Sequence, residues 1–149
     1  MDDLDRRILA AWATDARRSL RDIAGEVGVS ATTVHERARA LQRLGVVRGA
    51  HLDLDLAQLA RGVQALIAVR IRPPSRSNIE AFRDWVTRLP ETVGVFVTSG
   101  KSDFTVHVAV RDNQALYSFV IDRLTSRAEI ADVETSVIYE HVRSASPLL

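Results

Sequence analysis

The residues best suited to binding chemistry lie in one arginine-rich stretch of the chain. Residues 30–51 contain one acidic side chain, Glu36, and four arginines, Arg37, Arg39, Arg43 and Arg48. Guanidinium groups bind phosphate oxygens and the edge of guanine, and nearby threonines can contact base edges or thymine methyl groups. This composition indicates nucleic-acid binding, although a solvated helix face has a similar composition.

No group of residues predicts catalysis or metal binding. The sequence contains no cysteine, no phosphate-binding loop and no nucleophile elbow. His107 and His141 lie in predicted strands without the spacing of metal ligands, so packed or surface roles are expected for them. We therefore predict a binding protein without enzymatic activity, metal or cofactor.

Length and composition are those of a globular protein. The chain has 149 residues, of which 46% are apolar and 26% charged, and its net charge is +1. No apolar run approaches the roughly 18 residues of a membrane span, and the acidic start MDDLDRR lacks the apolar core of a signal peptide. We expect a cytoplasmic protein of a prokaryote, located at the nucleoid if it binds DNA, and no membrane partner.

Apolar spacing predicts three short helices in the first fifty residues. The first covers residues 3–14, the second follows Ser19 and ends at Gly28, and the third follows Ser30 and ends near Leu44. This order is typical of a helix-turn-helix unit, whose last helix enters the major groove of DNA. Short helical corners also occur in protein-interaction domains, so a protein partner is the alternative.

The third helix has an apolar inner side, formed by Val34, Ala38 and Leu41. Thr32 and Arg39 point away from that side and are the expected base contacts. Arg43 and Arg48 lie at the helix end and beyond it, where phosphate contact is expected. Arg37 lies nearer the inner side, where it contacts phosphate or packs its stem against the first helix. The predicted DNA-binding residues are Ser30, Thr32, Thr33, His35, Arg37, Arg39, Arg43 and Arg48.

From residue 63 the apolar spacing changes to that of a mixed sheet. Strands are predicted over residues 63–72, 92–99, 103–110 and 132–143. Helices are predicted after a capping box of Ser77 and Glu80 and after Asp112. The order βαββαβ is the ferredoxin-like pattern, an antiparallel sheet with both helices on one face.

The predicted fold class is therefore α+β in two domains. Residues 46–54 are expected to be extended, which makes the first domain winged-helix-like. The predicted divisions are a helix-turn-helix DNA-binding domain at 1–50, an extended connector at 51–62, and a ferredoxin-like effector-sensing and oligomerisation domain at 63–149.

The second face of the predicted sheet is too apolar for solvent and too polar for the core of a monomer. Its residues include Gln64, Leu66, Ala68, Thr105, His107 and Ala109. Exposed patches of this kind mark association surfaces, so we predict that a second copy of the chain covers this face.

Nearly the whole chain resembles the leucine-responsive regulator/asparagine-regulator (Lrp/AsnC) family. LDRRIL is similar to the first helix of the family, and IAGEVGVS to its second helix and turn. Gly100 and Asp103 in TSGKSDF match the glycine–x–x–aspartate signature between the second and third strands of its C-terminal domain. The chain departs from the family at Ala50, Phe104 and Gln42, where an aromatic residue, a tyrosine and an acidic residue are common.

The resemblance implies a regulator that senses an amino acid between C-terminal sheets of neighbouring dimers, which commonly form octamers. Two-fold dimers imply an imperfect palindrome of double-stranded DNA. Amides beside Gly100 can bind the carboxylate of the effector, and Asp103 can accept from its ammonium or else cap its own turn. Thr135 and Ser136 line the pocket or lie at a sheet edge or dimer face. The effector-site candidates are Ser99, Gly100, Ser102, Asp103, Thr135 and Ser136.

Two functions follow from these observations. The first is a sequence-specific DNA-binding transcriptional regulator whose assembly or operator affinity responds to a small molecule, with an amino acid as the expected effector. The alternative is a small-molecule-sensing oligomerisation module whose helical domain binds protein. The arginine-rich third helix favours the regulator.

Overall fold

The computed structural model describes residues 1–142, which form two compact units, Met1–Asp53 and Leu54–His141. The first unit consists of three helices, α1 (Asp3–Thr14), α2 (Leu20–Val27) and α3 (Ala31–Arg43). The predicted helices and the caps Ser19 and Ser30 are confirmed. The core of this unit is formed by buried side chains of all three helices, Ile8, Ala11, Ile23, Ala24, Val27 and Val34.

The turn between α2 and α3 depends on a glycine. Gly28 has φ +74°, a left-handed conformation that L side chains rarely adopt, and its amide donates to the Ala24 carbonyl at 3.0 Å. Two residues later, the Ser30 hydroxyl accepts the Thr33 amide at 3.1 Å and begins α3. The sequence therefore sets the corner between the two helices by local chemistry.

The segment after α3 forms no β-strand. Residues 46–54 are predicted to be extended, and none of the residues between α3 and Val63 pairs in a sheet. Gly45, with φ +71°, turns the chain back, and the amides of Val46 and Val47 donate to the Leu41 carbonyl at 3.0 and 3.2 Å. These two amides therefore bond a carbonyl of the last turn of α3, which ends the helix.

The second unit is a four-stranded antiparallel sheet with helices. Its elements are β1 (Val63–Ile71), α4 (Arg76–Val86), β2 (Thr92–Val97), β3 (Phe104–Val110), α5 (Asn113–Ser118) with a π-helical continuation (Phe119–Leu124), and β4 (Ile130–Ile138). The strand order is β2-β3-β1-β4. The predicted α+β, ferredoxin-like fold is confirmed.

Both helices of this unit pack on the same face of the sheet. Alternate residues of β1 and β3 are fully buried there with Phe82, Val86 and Leu124 from the helical segments. The rings of Phe82 and Phe104 meet at a centroid distance of 4.7 Å, tilted by 54°. The opposite face of the sheet is left open and is called the open face below.

Two predicted boundaries in this unit are wrong. Helix α4 begins after Ser75, whose hydroxyl accepts the Asn78 amide at 3.2 Å, so Ser77 lies inside the first turn and does not cap it. Strand β4 covers Ile130–Ile138 instead of residues 132–143, because its antiparallel pairing with β1 ends at the Gln64–Ile138 pair, next to the first residue of β1. Residue 143 of the predicted strand lies outside the described residues.

Candidate functional site

The outer side of α3 carries exposed polar side chains. Val34, Ala38 and Leu41 are buried as predicted, and the exposed set is Thr32, His35, Glu36, Arg39, Gln42 and Arg43. Arg48 is also exposed, five residues beyond the helix end. Within residues 1–142, the guanidinium groups of Arg39, Arg43 and Arg48 make no ion pair or hydrogen bond. These three cations are therefore available to an external partner.

Ser30 and Thr33 have a local use at the start of α3. Their hydroxyl groups lie 2.8 Å apart and form a hydrogen bond, in addition to the bond between the Ser30 hydroxyl and the Thr33 amide. Contact of either hydroxyl with DNA stays a prediction. In such a contact, the hydroxyl would bond DNA in addition to its partner at the helix cap.

Arg37 is used inside the helical unit. Its Nη1 donates to Asp2 Oδ2 at 2.6 Å and to Asp5 Oδ1 at 3.3 Å, which ties α3 to the start of α1. The Asp5 amide and then the Arg37 guanidinium lower the pKa of Asp2, and Asp2 in turn raises the pKa of Arg37. The structure thus places Arg37 at the first helix, and its contact with phosphate stays a prediction.

Gly100 lies in the turn between β2 and β3. Its φ is +119°, which L side chains rarely adopt, but no atom of the described residues lies within 4 Å of a Cβ built there. The turn is closed by Thr98, whose amide donates to the Asp103 carbonyl and whose hydroxyl donates to the Ser102 carbonyl, both at 2.9 Å. Glycine is needed here for its φ and not for close packing within the chain.

The side-chain carboxylate of Asp103 is bonded to the neighbouring strand β1 and not to its own turn. Its Oδ2 accepts the Ile71 amide at 2.7 Å and lies 3.7 Å from Arg72 Nη1. The register of β1 against β4 shifts between Arg70 and Ile71, so this carboxylate serves an amide at an irregular point of the sheet. Direct contact of Asp103 with an effector stays a prediction.

A shallow cavity of about 100 Å³ lies beside this turn, on the open face of the sheet. It includes Ser102, which was predicted, and four charged residues that were not, Arg70, Lys101, Asp132 and Glu134. Arg70 Nη2 donates to the Lys101 carbonyl at 2.6 Å, and Lys101 Nζ lies 3.3 Å from Glu134 Oε2. The charged residues at the ends of β1 and β4 were the signal that sequence reasoning missed.

The remaining effector candidates lie on different surfaces. Ser99 is exposed in the turn. Ser136 is paired with Leu66 and shares the open face, whereas Thr135 is paired with the buried Ile67 and lies on the helix side. The two neighbours in β4 therefore cannot line one pocket from the same side of the sheet.

The open face carries exposed apolar side chains and a histidine. Leu66 is 38% exposed and Phe96 is 59% exposed. His107 Nε2 lies 2.9 Å from Gln64 Oε1, and its ring centroid is 6.4 Å from that of His141. Burial, followed by the effect of His141, lowers the pKa of His107.

Comparison with known families separates the same two regions. Residues 1–42 match the AsnC-type helix-turn-helix domain, and residues 64–148 match the Lrp/AsnC ligand binding domain. The chain belongs to the Lrp/AsnC family. It is a DNA-binding transcriptional regulator with a ligand-binding domain that responds to a small molecule, as the resemblance implied.

Relatives of this Lrp/AsnC regulator are similar over almost their whole length. The HTH-type transcriptional regulator AldR of Mycolicibacterium smegmatis is 40% identical over 99% of this chain and 86% of its own. A transcriptional regulator of Neisseria meningitidis, solved as a complex with L-Met, is 26% identical with a TM-score of 0.88, over 97% of this chain and 93% of its own. Escherichia coli AsnC is 27% identical with a TM-score of 0.84, over 97% of both chains.

No helix within residues 1–142 has the length and apolar character needed to cross a membrane. The same residues contain no group of three or more histidine or acidic side chains placed to hold a metal ion.

Proposed function

We propose that this regulator binds operator DNA sequence-specifically through α3, and that an amino acid bound near the turn of residues 99–103 changes its operator affinity or assembly. The observation that carries the DNA part is the difference among the arginines of α3 and the segment after it. Arg37 is paired inside the unit, whereas Arg39, Arg43 and Arg48 are exposed without an ion pair within residues 1–142. Unpaired guanidinium groups on an exposed helix favour binding to a polyanion.

The positions of the free side chains support different roles. Thr32 and Arg39 lie on the exposed side of the helix, opposite the buried residues, and are our base contacts. Arg43 at the last turn and Arg48 beyond it are placed to bind phosphates at the groove edge. Ser30, Thr33, His35 and Arg37 complete the proposed interface.

The open face supports assembly of two copies. Leu66 in the central strand β1 and Phe96 in the edge strand β2 expose apolar surface on this face of the sheet. Packing of two such faces would bury these side chains and give a two-fold dimer, from which the octamers implied by the family are built. A two-fold dimer presents two α3 helices, so the operator should be an imperfect palindrome with half-sites roughly whole helical turns apart.

The turn after β2 supports a zwitterionic effector. Lys101 and Glu134 supply one positive and one negative charge beside Ser102, and the Gly100 backbone is open on its Cβ side. We propose that Ser99, Gly100, Ser102 and Asp103 contact the amino acid. Ser136 is placed on the same face, whereas Thr135 is not. The N. meningitidis relative solved with L-Met supports this class of ligand. We place the protein in the cytoplasm at the nucleoid, where its DNA is, and propose that it acts by binding and without catalysis or a cofactor.

The DNA part is tested by titrating labelled duplexes at a series of salt concentrations. The duplexes are the promoter region of the protein's own gene and a scrambled control. Arg39→Ala should lose about 1–3 kcal/mol at the specific site and relax the preference at one base pair. Arg48→Ala should weaken both duplexes alike and reduce the salt slope by about one. Arg88→Ala, at an exposed arginine of the second unit, is the matched control and should bind like the parent.

The same titration contains the results that would contradict the proposal. Equal losses of Arg39→Ala on both duplexes would remove its role as a base contact. A parent protein without salt-sensitive duplex binding would favour the alternative in which the helical unit binds protein. Repeating the titration with each common L-amino acid tests the effector part, which fails if none changes the affinity or the assembly state.

A further inference from the structure

The second unit contains a cavity that lies away from the turn of residues 99–103. It has a volume of about 490 Å³, within the range of small-molecule sites, and is lined by the connector before β1, the start of β2, the end of β3 and the helix after it. It meets β3 at Ala109 and Val110, whereas the turn precedes β3 at the other end. A seven-residue strand separates the two places by roughly 20 Å.

One carboxylate oxygen in the wall of this cavity lacks a hydrogen bond within the described residues. Glu91 Oε2 is buried and has no hydrogen bond within the described residues. Its other oxygen, Oε1, lies 3.5 Å from Arg123 Nη2, and its backbone carbonyl accepts the Ala109 amide at 2.8 Å. A buried acceptor without a donor is unfavourable, so Glu91 has capacity for a donor that a ligand can supply.

Arginine side chains also line the same cavity. Arg61 Nη1 donates to the backbone carbonyl of Pro90 and lies 3.5 Å from that of Ala109, which fixes its guanidinium at the wall. The remaining N–H groups of Arg61 make no hydrogen bond within residues 1–142. Arg111 also lines the cavity, and its side chain is largely exposed, with Nε 2.9 Å from Asp112 Oδ2. These guanidinium groups can bind a carboxylate.

Part of the cavity wall is apolar. Ala109 and Phe119 are buried core residues that also line the cavity, together with Ala115. We infer that this cavity is a second ligand site, which takes a free α-amino acid with an apolar side chain. The ammonium binds Glu91, the carboxylate binds Arg61, and the side chain covers Phe119. This inference shares its ligand class with the proposed function but assigns a separate site.

Equilibrium dialysis of the full-length protein with radiolabelled L-alanine, L-leucine and L-methionine tests the inference by stoichiometry. The parent should bind two equivalents of at least one of these amino acids per protomer. Glu91→Gln removes the charge but keeps the shape, so it should weaken one class of sites at least tenfold and leave the other. Gly100→Val should retain the class that Glu91→Gln loses. Glu80→Gln, at an exposed acid of α4, is the matched control and should bind like the parent.

Arg61→Gln tests the opposite end of the ligand and decides the matter if circular dichroism shows that Glu91→Gln is unfolded. A single site per protomer that Gly100→Val abolishes would overturn the inference, as would parent-like binding by the folded Glu91 or Arg61 variants. The absence of amino-acid binding in the parent would overturn it as well. None of these results concerns DNA binding. A single site that Gly100→Val abolishes, or parent-like binding by the Glu91 and Arg61 variants, leaves the proposed effector site intact. Failure of every amino acid to change DNA binding is a separate result, which would contradict the proposed function.

Discussion

Replacement of Asp103 separates its structural bond from its proposed contact with the effector. Oδ2 accepts the amide of Ile71, a fully buried residue, at 2.7 Å. Asp103→Ala leaves that buried amide without an acceptor, which costs about 1–3 kcal/mol. For a domain of 60–100 residues, a loss of about 2 kcal/mol lowers Tm by roughly 10 °C. Differential scanning calorimetry of the full-length protein measures this shift, and melting at the temperature of the parent would refute the importance of the bond.

Asp103→Asn keeps a side-chain oxygen for the Ile71 amide but removes the negative charge. The Tm should therefore return most of the way to that of the parent. If the carboxylate also binds the ammonium of the effector, loss of a charge-assisted hydrogen bond should weaken effector binding about 10- to 100-fold. Asp84→Asn, which makes the same charge change at an exposed position of α4 outside the turn and its cavity, is the matched control. An Asp103→Asn variant that responds to amino acids like the parent would show that Asp103 only positions the turn.

Three further changes test individual features of the second unit. Gly100→Val should destabilise the turn by about 1–3 kcal/mol and block the effector response, because valine rarely adopts φ +119°. Urea unfolding measures the loss of stability, and operator titration in the presence of amino acids measures the response. Ser75→Ala should lower the free energy of unfolding by about 0.5–2 kcal/mol, whereas Ser77→Ala should change it by less than about 0.5 kcal/mol, because Ser75 caps α4 and Ser77 does not. A larger loss for Ser77→Ala in urea unfolding would contradict the observed cap. Burial and His141 lower the pKa of His107, so during acidification the unfolded chain takes up a proton at this histidine at a higher pH than the folded protein does. The free energy of unfolding should therefore fall as the pH drops below the ordinary value of 6.5, and it should level off below the lowered pKa. His107→Gln should flatten this pH dependence in unfolding curves, and an unchanged slope would remove His107 as its cause.

Features that depend on neighbouring residues could be predicted from the sequence. The bounds of α1 and the caps Ser19 and Ser30 follow from apolar spacing and local hydrogen bonds, and the structure confirms them. The outer side of α3 follows in the same way from a period of 3.6 residues. By contrast, the end of β4 is decided by the length of β1, about 70 residues earlier, and the pattern of β4 alone extended the strand too far.

The candidate site depends on contacts that are distant in the sequence. Asp103 was predicted to cap its own turn or to bind a ligand, but it bonds to Ile71, 32 residues earlier. Arg37 was placed near the inner side of α3 by its spacing, yet its acidic partners Asp2 and Asp5 are more than thirty residues away. Spacing identifies which way a side chain points, and it does not identify what that side chain meets.

Lys101 is the only lysine in the chain, and it lies 3.3 Å from Glu134 beside the proposed effector. Its side chain is 81% exposed, and the sequence contains no cysteine. An amine-reactive fluorophore, applied where the α-amino group of the chain is blocked, would therefore attach at one place, in the turn where the effector is proposed to bind. The protein thus carries a native labelling position for spectroscopy, and any cysteine introduced elsewhere would supply a second, chemically distinct position for distance measurements by energy transfer.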